Sequence, residues 1–246
     1  MTAYMWHTCD RMVLGSILPE SLVVLPIGAV EQHGPHLPSG TDGMIVDAVT
    51  ATAVRLAADR AVRDVVVAPT VPFGASDHHF PFGATLSLTN ETATSVLVDL
   101  LRSIGRSGAS RVLIVNGHGG NRGPCHSAAH VASTRLRLHA AYVDYWMLAP
   151  ADPAEPSVPV PGHAGAFETS LIKHLRPELV GTPPTRPTQP AVADVSDVLI
   201  HTETRWRALD GYTDTPADAA ARAGGRWFDA CAAVLADRIV ALAAVL

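Results

Sequence analysis

Twelve residues near the start of the chain carry an unusual mixture of side chains. The segment EQHGPHLPSGTD, residues 31–42, holds a glutamate, two histidines and an aspartate around two prolines. A loop needs only Gly, Pro, Ser or Asn in order to turn, and imidazoles close to carboxylates add nothing to a turn. Imidazole nitrogens and carboxylate oxygens are ligands of divalent transition metals. The segment therefore indicates a metal site.

Within this segment the spacing leaves two interpretations open. Glu31 and His33 are one residue apart, so both side chains project on the same side if the chain stays extended. That geometry suits two metal ligands, although short E-x-H patterns also occur by chance, and His33 and His36 could be ordinary turn residues. Asp42 precedes a helical pattern and could be its N-cap. If Thr41 caps the helix instead, the Asp42 carboxylate is free to bridge paired cations.

A second polar segment, NGHGGN at residues 116–121, directly follows an apolar run. Its glycines, Gly117, Gly119 and Gly120, predict positive φ angles and a close approach of the backbone to a ligand. Its two asparagines can fix the loop by side-chain hydrogen bonds. A structural turn requires glycine and asparagine but not the imidazole of His118, so the segment favours a functional histidine.

A third segment, GHAGAFETSL at residues 162–171, adds His163 and Glu168. Glu168 would lie in the first turn of a predicted helix, where the helix dipole favours a carboxylate, so ordinary helix chemistry is one explanation. Together the three segments supply three carboxylates and at least three imidazoles. Such a mixed set suits Zn²⁺, Mn²⁺ or Fe²⁺ rather than Ca²⁺, and its natural use is a dinuclear site.

The elements around these segments predict where they meet. Apolar runs rich in Val and Ile indicate buried strands, and segments with apolar residues at helical spacing alternate with them. The strands are expected at residues 22–28, 65–69, 112–116 and 140–145, and the helices at 44–60, 90–107, 121–138, from 167 onward and in the tail at 227–246. This alternation predicts an α/β fold with a mostly parallel sheet and helices on both faces. Ligands of such sheets gather beyond the carboxyl ends of the strands, where the polar segments lie.

Length and composition limit the class of protein. A chain of 246 residues with 48% hydrophobic and 17% charged residues fits one globular domain over residues 1–246. The net charge of −5 and the absence of a basic run in the sequence argue against a nucleic-acid or anionic-membrane partner. No apolar run reaches the roughly 18 residues of a membrane span, and three separated cysteines indicate no disulfide framework. We therefore expect a cytoplasmic protein.

Four motifs together resemble those of the creatininase (creatinine amidohydrolase) family. GAVEQHGPHLPSGTD, FGASDHHFPFGATLSL, VLIVNGHGGNRG and HAGAFETSLIKHL occur in the family's order and at similar spacing, over residues 22–175. The resemblance implies a three-layer α/β/α sandwich, often assembled as a hexamer. It also implies two divalent metal ions per chain, Zn or Mn with Fe possible, and a bridging water that hydrolyses small amide C–N bonds.

The resemblance also implies roles for individual residues. Carried over by position, Glu31 and His118 would bind one metal, His33 would bind the other, and Asp42 would bridge both.

One position departs from the family pattern. Creatininase has a glutamate ligand where this chain has Gly120, and Glu168 is the best replacement, as a fifth ligand and a catalytic residue. His163 matches the family's proton-transfer histidine, so we expect it to protonate the leaving nitrogen. His79 could orient substrate or a ligand, or it could be a buried structural histidine.

The resemblance predicts a metal-dependent amidohydrolase acting on a small amide or a short peptide. Family members of the NGHGGN form, to which this chain is similar, include a mycofactocin precursor peptidase and an archaeal formamidopyrimidine deformylase. The alternatives are therefore a peptidase that trims a ribosomal peptide precursor and a formamide deformylase of cofactor biosynthesis. The aromatic residues that hold creatinine have no counterpart at residues 149–161, so creatinine is not expected. A single-metal redox or lyase enzyme and a non-catalytic binding protein stay open as rival classes.

Overall fold

Five parallel strands form one sheet in the computed structural model, which describes residues 2–149, 158–186 and 202–246. The strands are β1 (Ala3–Met5), β2 (Leu22–Ile27), β3 (Val65–Val67), β4 (Arg111–Asn116) and β5 (His139–Asp144). Their order across the sheet is β1-β3-β2-β4-β5, and every pairing is parallel. β2 and β4 are therefore neighbours, with Ile27 opposite Asn116, and their carboxyl ends lie side by side.

Helices cover both faces of this sheet. In the described residues they are α1 (Arg11–Ile17), α2 (Thr41–Ala57), α3 (Asn90–Arg106), α4 (Arg122–Arg135), α5 (Ala166–Leu175), α6 (Glu203–Ala208) and α7 (Ala221–Val245). Alternate residues of β2 face opposite cores. Leu22 and Val24 pack with α2, α5 and α7, whereas Val23 and Leu25 pack with α3 and α4. The result is the expected three-layer α/β/α sandwich.

The predicted strands and helices agree with this architecture, with ends that shift by a few residues. The tail forms α7, and its apolar face, including Trp227, Leu235 and Ile239, lies in the core beside α2 and α5. β1, α1 and α6 were not predicted from the sequence, because segments of three to seven residues are too short to show a clear hydrophobic period. The Pro-rich segments at residues 149–161 and around Pro183 to Pro190 are predicted to be long loops, and they lie mostly outside the described residues.

None of the described helices is long and apolar enough to span a lipid bilayer. The three cysteines carry free thiols, and Cys125 and Cys231 are buried.

Candidate metal centre

The polar segments after β2 and β4 meet at the carboxyl edge of the sheet. The amide of Gly117 donates to the carbonyl of Ile27 at 2.8 Å, which holds the two segments together where the strands end. Glu31, His33 and His118 then lie buried just beyond this edge. This is the position that a parallel α/β sheet favours for a ligand.

Asp42 lies between two imidazoles at the start of α2. One carboxylate oxygen is 3.2 Å from Nε2 of His33, and the other is 3.1 Å from Nδ1 of His118. The interpretation of Asp42 as an N-cap is wrong, because Gly40 occupies that position and no side chain caps the helix. Thr41 does not cap it either, since its hydroxyl donates to a loop carbonyl at 2.7 Å. The carboxylate is left to face the site.

Glu31 is fully buried and faces three histidines. Its carboxylate oxygens lie 3.2 Å from Nε2 of His118, 3.3 Å from Nε2 of His79 and 3.5 Å from Nδ1 of His163. Burial acts to raise its pKa, but His118 and His79 hold the pKa well below its ordinary value. Among the described residues neither oxygen has a hydrogen-bond partner.

Glu168 reaches the same cluster from the first turn of α5. One of its oxygens accepts a hydrogen bond from the amide of Ala164 at 2.6 Å and lies 3.8 Å from Nε2 of His33. Burial, only partly opposed by the His33 imidazole, raises the pKa of this carboxyl to about 8. Helix-start chemistry and membership of the cluster are therefore compatible at this residue.

The charges in the cluster are those of a cation site. Burial acts to lower the pKa of His33, but the carboxylates of Asp42, Glu168 and Glu31 outweigh it and raise that pKa to about 10. Burial likewise opposes protonation of His118, yet Glu31 and Asp42 raise its pKa well above the ordinary value. Three buried carboxyl groups thus favour positive charge on the neighbouring imidazoles.

The donor geometry fits metal ions. Three groups of side chains each bring their ligand atoms within 4.8 Å of one another: His33, Asp42 and Glu168; Glu31, His78 and His118; and Glu31, His33 and His163. Carboxylate oxygens of Glu31 and Asp42 are buried without a hydrogen-bond partner among the described residues, as expected where a cation would supply the missing contact. Mixed nitrogen and oxygen donors suit zinc or manganese.

Gln32 was not anticipated from the sequence and ties two of the histidines together. Its side-chain nitrogen lies 2.8 Å from Nδ1 of His79 and 3.0 Å from Nε2 of His163, and it donates to the carbonyl of Gly211 at 3.0 Å. The rings of His79 and His163 stack with centroids 4.2 Å apart. His79 is therefore buried within the cluster, where it contacts Glu31. Gln32 gave no signal in the sequence because an amide side chain has no characteristic role at such a site.

The loop that carries His118 is fixed by its two asparagines, as predicted. Asn116 accepts from the amide of His118 at 3.0 Å and donates to the His118 carbonyl and to Asp144, both at 2.8 Å. Asn121 accepts from the amide of Ala75 at 2.9 Å and donates to a loop carbonyl at 2.9 Å. Both ends of the segment are thereby anchored.

The prediction of positive φ angles at the glycines of this loop is wrong. None of the three glycines, Gly117, Gly119 and Gly120, has a positive φ. Two of them are required by close packing instead, because a Cβ on Gly117 would lie 2.8 Å from Cβ of Val46, and a Cβ on Gly120 would lie 2.0 Å from the carbonyl oxygen of Ala75. Position 120 therefore cannot hold a side chain, and hence no ligand, without movement of the backbone.

A cavity of about 500 Å³ opens onto the cluster and is lined in part by His78, Trp146 and Trp206. Trp206, from the short helix α6, lies with its ring centroid 4.7 Å from that of His79 and 5.5 Å from that of His163. His78 belongs to the same D-H-H motif as His79, although the motif indicated a role only for His79. Nothing in the local sequence pattern indicates that Trp206 belongs to the site.

His36 lies outside the cluster. Its Nε2 is 2.8 Å from the hydroxyl of Thr169. This hydrogen bond connects the loop of His36 to α5, next to Glu168. Burial and the nearby His33 lower its pKa to about 4.

The chain matches the family model described as creatininase (creatinine amidohydrolase) over residues 14–239. It is 38% identical over 178 residues to a mycofactocin precursor peptide peptidase of Mycolicibacterium smegmatis. That alignment covers 71% of this chain and 65% of the peptidase. It is 31% identical over 183 residues to a creatinine amidohydrolase of Pseudomonas putida. That alignment covers 65% of this chain and 66% of the amidohydrolase. The alignments thus span about two thirds of the length of these relatives.

Solved structures of creatininase are similar along nearly the whole chain. A tryptophan-to-phenylalanine variant has a TM-score of 0.80 and 26% identity and covers 96% of this chain and 97% of its own. A structure described as manganese creatininase has a TM-score of 0.78 and 27% identity, with 96% and 97% covered. A glutamate-to-glutamine variant described as the Zn–Zn type has a TM-score of 0.76 and 26% identity, with 96% of each chain covered.

Proposed function

Because the chain belongs to the creatininase family, we propose that it is a metal-dependent amidohydrolase that cleaves a C–N amide bond of a small amide or a short peptide. The observation that carries the proposal is the buried Asp42 carboxylate, with one oxygen 3.2 Å from His33 and the other 3.1 Å from His118. One carboxylate that faces two imidazoles is the arrangement of a bridging ligand between two ions.

We assign five side chains to two divalent ions, zinc or manganese. Glu31 and His118 would hold one ion, His33 and Glu168 would hold the other, and Asp42 would be shared between them. The mixed donors and the buried unpartnered carboxylate oxygens support this assignment. The neighbours described as manganese and Zn–Zn creatininase favour the choice of these metals.

When bound, paired divalent ions polarise a carbonyl group and make water a nucleophile near neutral pH. His163 supplies the proton transfer. Burial, with His33 and His79 nearby, lowers the pKa of its imidazole, which is therefore neutral at rest. Its Nε2 lies 3.0 Å from the carbonyl oxygen of Gln32 and can donate there. Nδ1 is then the atom that takes a proton from the attacking water and returns it to the leaving nitrogen.

Without a cation the pKa of Glu168 is raised to about 8, and a bound cation would favour the ionised carboxylate that a ligand requires. We assign it the role that a glutamate has in creatininase at the position of Gly120. It lies close enough to do so, at 3.8 Å from His33, and it approaches from α5 rather than from the loop after β4.

The second candidate is a peptidase that trims a ribosomal peptide precursor. The 38% identity to a mycofactocin precursor peptide peptidase favours it. A further cavity of about 600 Å³ adjoins the site and shares Asp77, His78 and Trp206 with it. The two cavities together have room for a substrate longer than one small ring. A formamide deformylase would need only the inner cavity.

The assembly and the location complete the proposal. We propose a single domain over residues 1–246 that works in the cytoplasm as a homo-oligomer, a hexamer as the family resemblance implies. We expect neither a nucleic-acid nor a membrane partner, in keeping with the net charge of −5.

The test combines metal analysis with hydrolysis. The purified chain, loaded with zinc or manganese, is offered creatinine, N-formyl amines and peptides that differ in their last two residues. We expect turnover of at least one class, its loss on treatment with a chelator and its recovery on return of the metal. Turnover that survives complete removal of the metal would overturn the proposal.

A further inference from the structure

We propose that His78 is a direct ligand of the ion held by Glu31 and His118, an inference that rests on the metal centre proposed above. The ligand atoms of Glu31, His78 and His118 lie within 4.8 Å of one another. Two imidazoles and one carboxylate are a donor set that catalytic zinc sites use, with a further position left open.

The rings of His78 and His118 lie near each other. The imidazoles of His78 and His118 are nearly parallel, with an interplanar angle of 8° and centroids 5.7 Å apart. They come from different loops, His78 from the 3₁₀ turn Asp77–Phe82 and His118 from the loop after β4. The fold thus brings donor atoms from two distant segments within reach of a common ion.

The ligands assigned above leave room for a further donor beside Glu31 and His118. A side chain at position 120 is excluded by the carbonyl oxygen of Ala75, 2.0 Å from where its Cβ would lie. Glu168 compensates on the side of His33, at 3.8 Å. Without His78, the other ion would have Glu31 and His118 and a share of Asp42. His78 gives that ion a third ligand of its own.

The surroundings of His78 hold its ring at the mouth of the site. It is half-buried, with its centroid 4.2 Å from that of His79 and 5.3 Å from that of Trp206, and it lines both cavities. His79 differs, because it is fully buried and faces Glu31 and Gln32. His78 thus serves as the ligand, whereas its neighbour His79 contacts the Glu31 carboxylate.

The first test measures metal binding by titration of the metal-free full chain with Co²⁺ and with Zn²⁺. His78→Ala should weaken one of two ions at least about 10-fold and leave the other unchanged, since even the partners of ligands contribute 10- to 100-fold to affinity. The control is His130→Ala, which removes an exposed histidine of α4. Two ions bound with unchanged affinity in His78→Ala, with or without a rise in KM, would make His78 a substrate contact and overturn the inference.

The second test is spectroscopic and does not require that the alanine variant fold. His78→Cys loaded with Co²⁺ should acquire the intense near-ultraviolet absorption of a cobalt–thiolate bond, because a coordinating thiol is deprotonated. The wild type should lack this band, and so should His130→Cys. The absence of the band in folded, cobalt-loaded His78→Cys overturns the inference. A wild type that binds no ion at all would instead defeat the proposed function.

Discussion

At the scale of single residues, the site is defined by buried carboxylates that need positive charge. Glu31, Asp42 and Glu168 lie within one cluster of imidazoles. Without a cation, His33 and His118 have raised pKa values and must carry that charge themselves. A pair of divalent ions would replace those protons, so the histidines with raised pKa values are among the side chains expected to bind metal.

Replacement of His163 by alanine should separate proton transfer from metal binding. We expect both ions to be retained and kcat to fall by about 10²- to 10⁴-fold, the usual contribution of a positioned acid or base. Metal stoichiometry and kcat are measured on the same preparation, with His126→Ala, an exposed position of α4, as the control. Loss of an ion from His163→Ala would instead identify this residue as a ligand.

Glu168→Gln should weaken one metal selectively, the ion near His33, because the amide preserves the shape of the side chain but removes its charge. The neutral side chain can still accept the hydrogen bond from Ala164, so the start of α5 should persist. Elemental analysis and turnover provide the measurement, and Glu178→Gln, an exposed carboxylate paired with Arg176, is the matched control. Two full ions with normal turnover would reduce Glu168 to a helix-start residue.

Much of the cluster could be predicted at this scale, and part of it could not. Glu31, His33 and His118 have ligand side chains at the ends of predicted strands, so their meeting follows from a parallel sheet. Gln32 and Trp206 could not be predicted, since an amide and an indole have no characteristic spacing for such a role. Their contribution depends on packing between segments far apart in the chain.

At the scale of elements, the loop after β4 requires glycine where its backbone packs closely against neighbouring segments. Gly120→Ala should destabilise the fold by about 1–3 kcal/mol, the usual cost of overpacking, because its Cβ would lie 2.0 Å from the carbonyl oxygen of Ala75. Gly119→Ala is the matched control, since no atom of the described residues lies within 4 Å of its added Cβ and its φ is not positive. Denaturant unfolding compares the two. Equal stability of both variants would contradict the packing account of Gly120.

The elements themselves were largely predictable because the strands of the buried sheet are continuous apolar runs. β2 and β4 each have five or six buried residues, which separates them from the amphipathic helices. β1 could not be found this way, since its three residues are only half-buried at the edge of the sheet. The predicted end of β2 was correct to one residue, and that end positions Glu31.

At the scale of the whole molecule, the assembly is a prediction. The apolar face of α7 is buried within its own chain, so contacts between subunits must use other surfaces. Exposed apolar side chains are available, among them Phe73, Leu86 and Met147. Light scattering should give six times the chain mass of 25.8 kDa. A monomer at micromolar concentration would contradict the hexamer.

The stability of the metal-free protein should depend on pH. The pKa of His33 is raised from 6.5 to about 10 in the folded chain, so the stability it contributes is fully present below pH 6.5 and is lost as pH rises through 10. Chelator-treated protein should therefore unfold at lower denaturant concentration at pH 9.5 than at pH 6.5. His33→Gln should show a smaller difference between these two pH values. An equal difference in denaturant midpoint between the two pH values in both proteins would contradict a contribution of His33 to this pH dependence.

The most direct test of the dinuclear centre is the metal content of purified wild-type protein and of three ligand variants. Elemental analysis should find close to two transition-metal ions per chain. His33→Ala and Glu31→Ala should each lose at least one ion. Asp42→Ala should lose both ions and some stability, because the bridging carboxylate balances two cations. Asp59→Ala, an exposed position just beyond α2, should keep two. Full retention of two ions in His33→Ala, Glu31→Ala and Asp42→Ala would contradict a dinuclear centre held by these side chains.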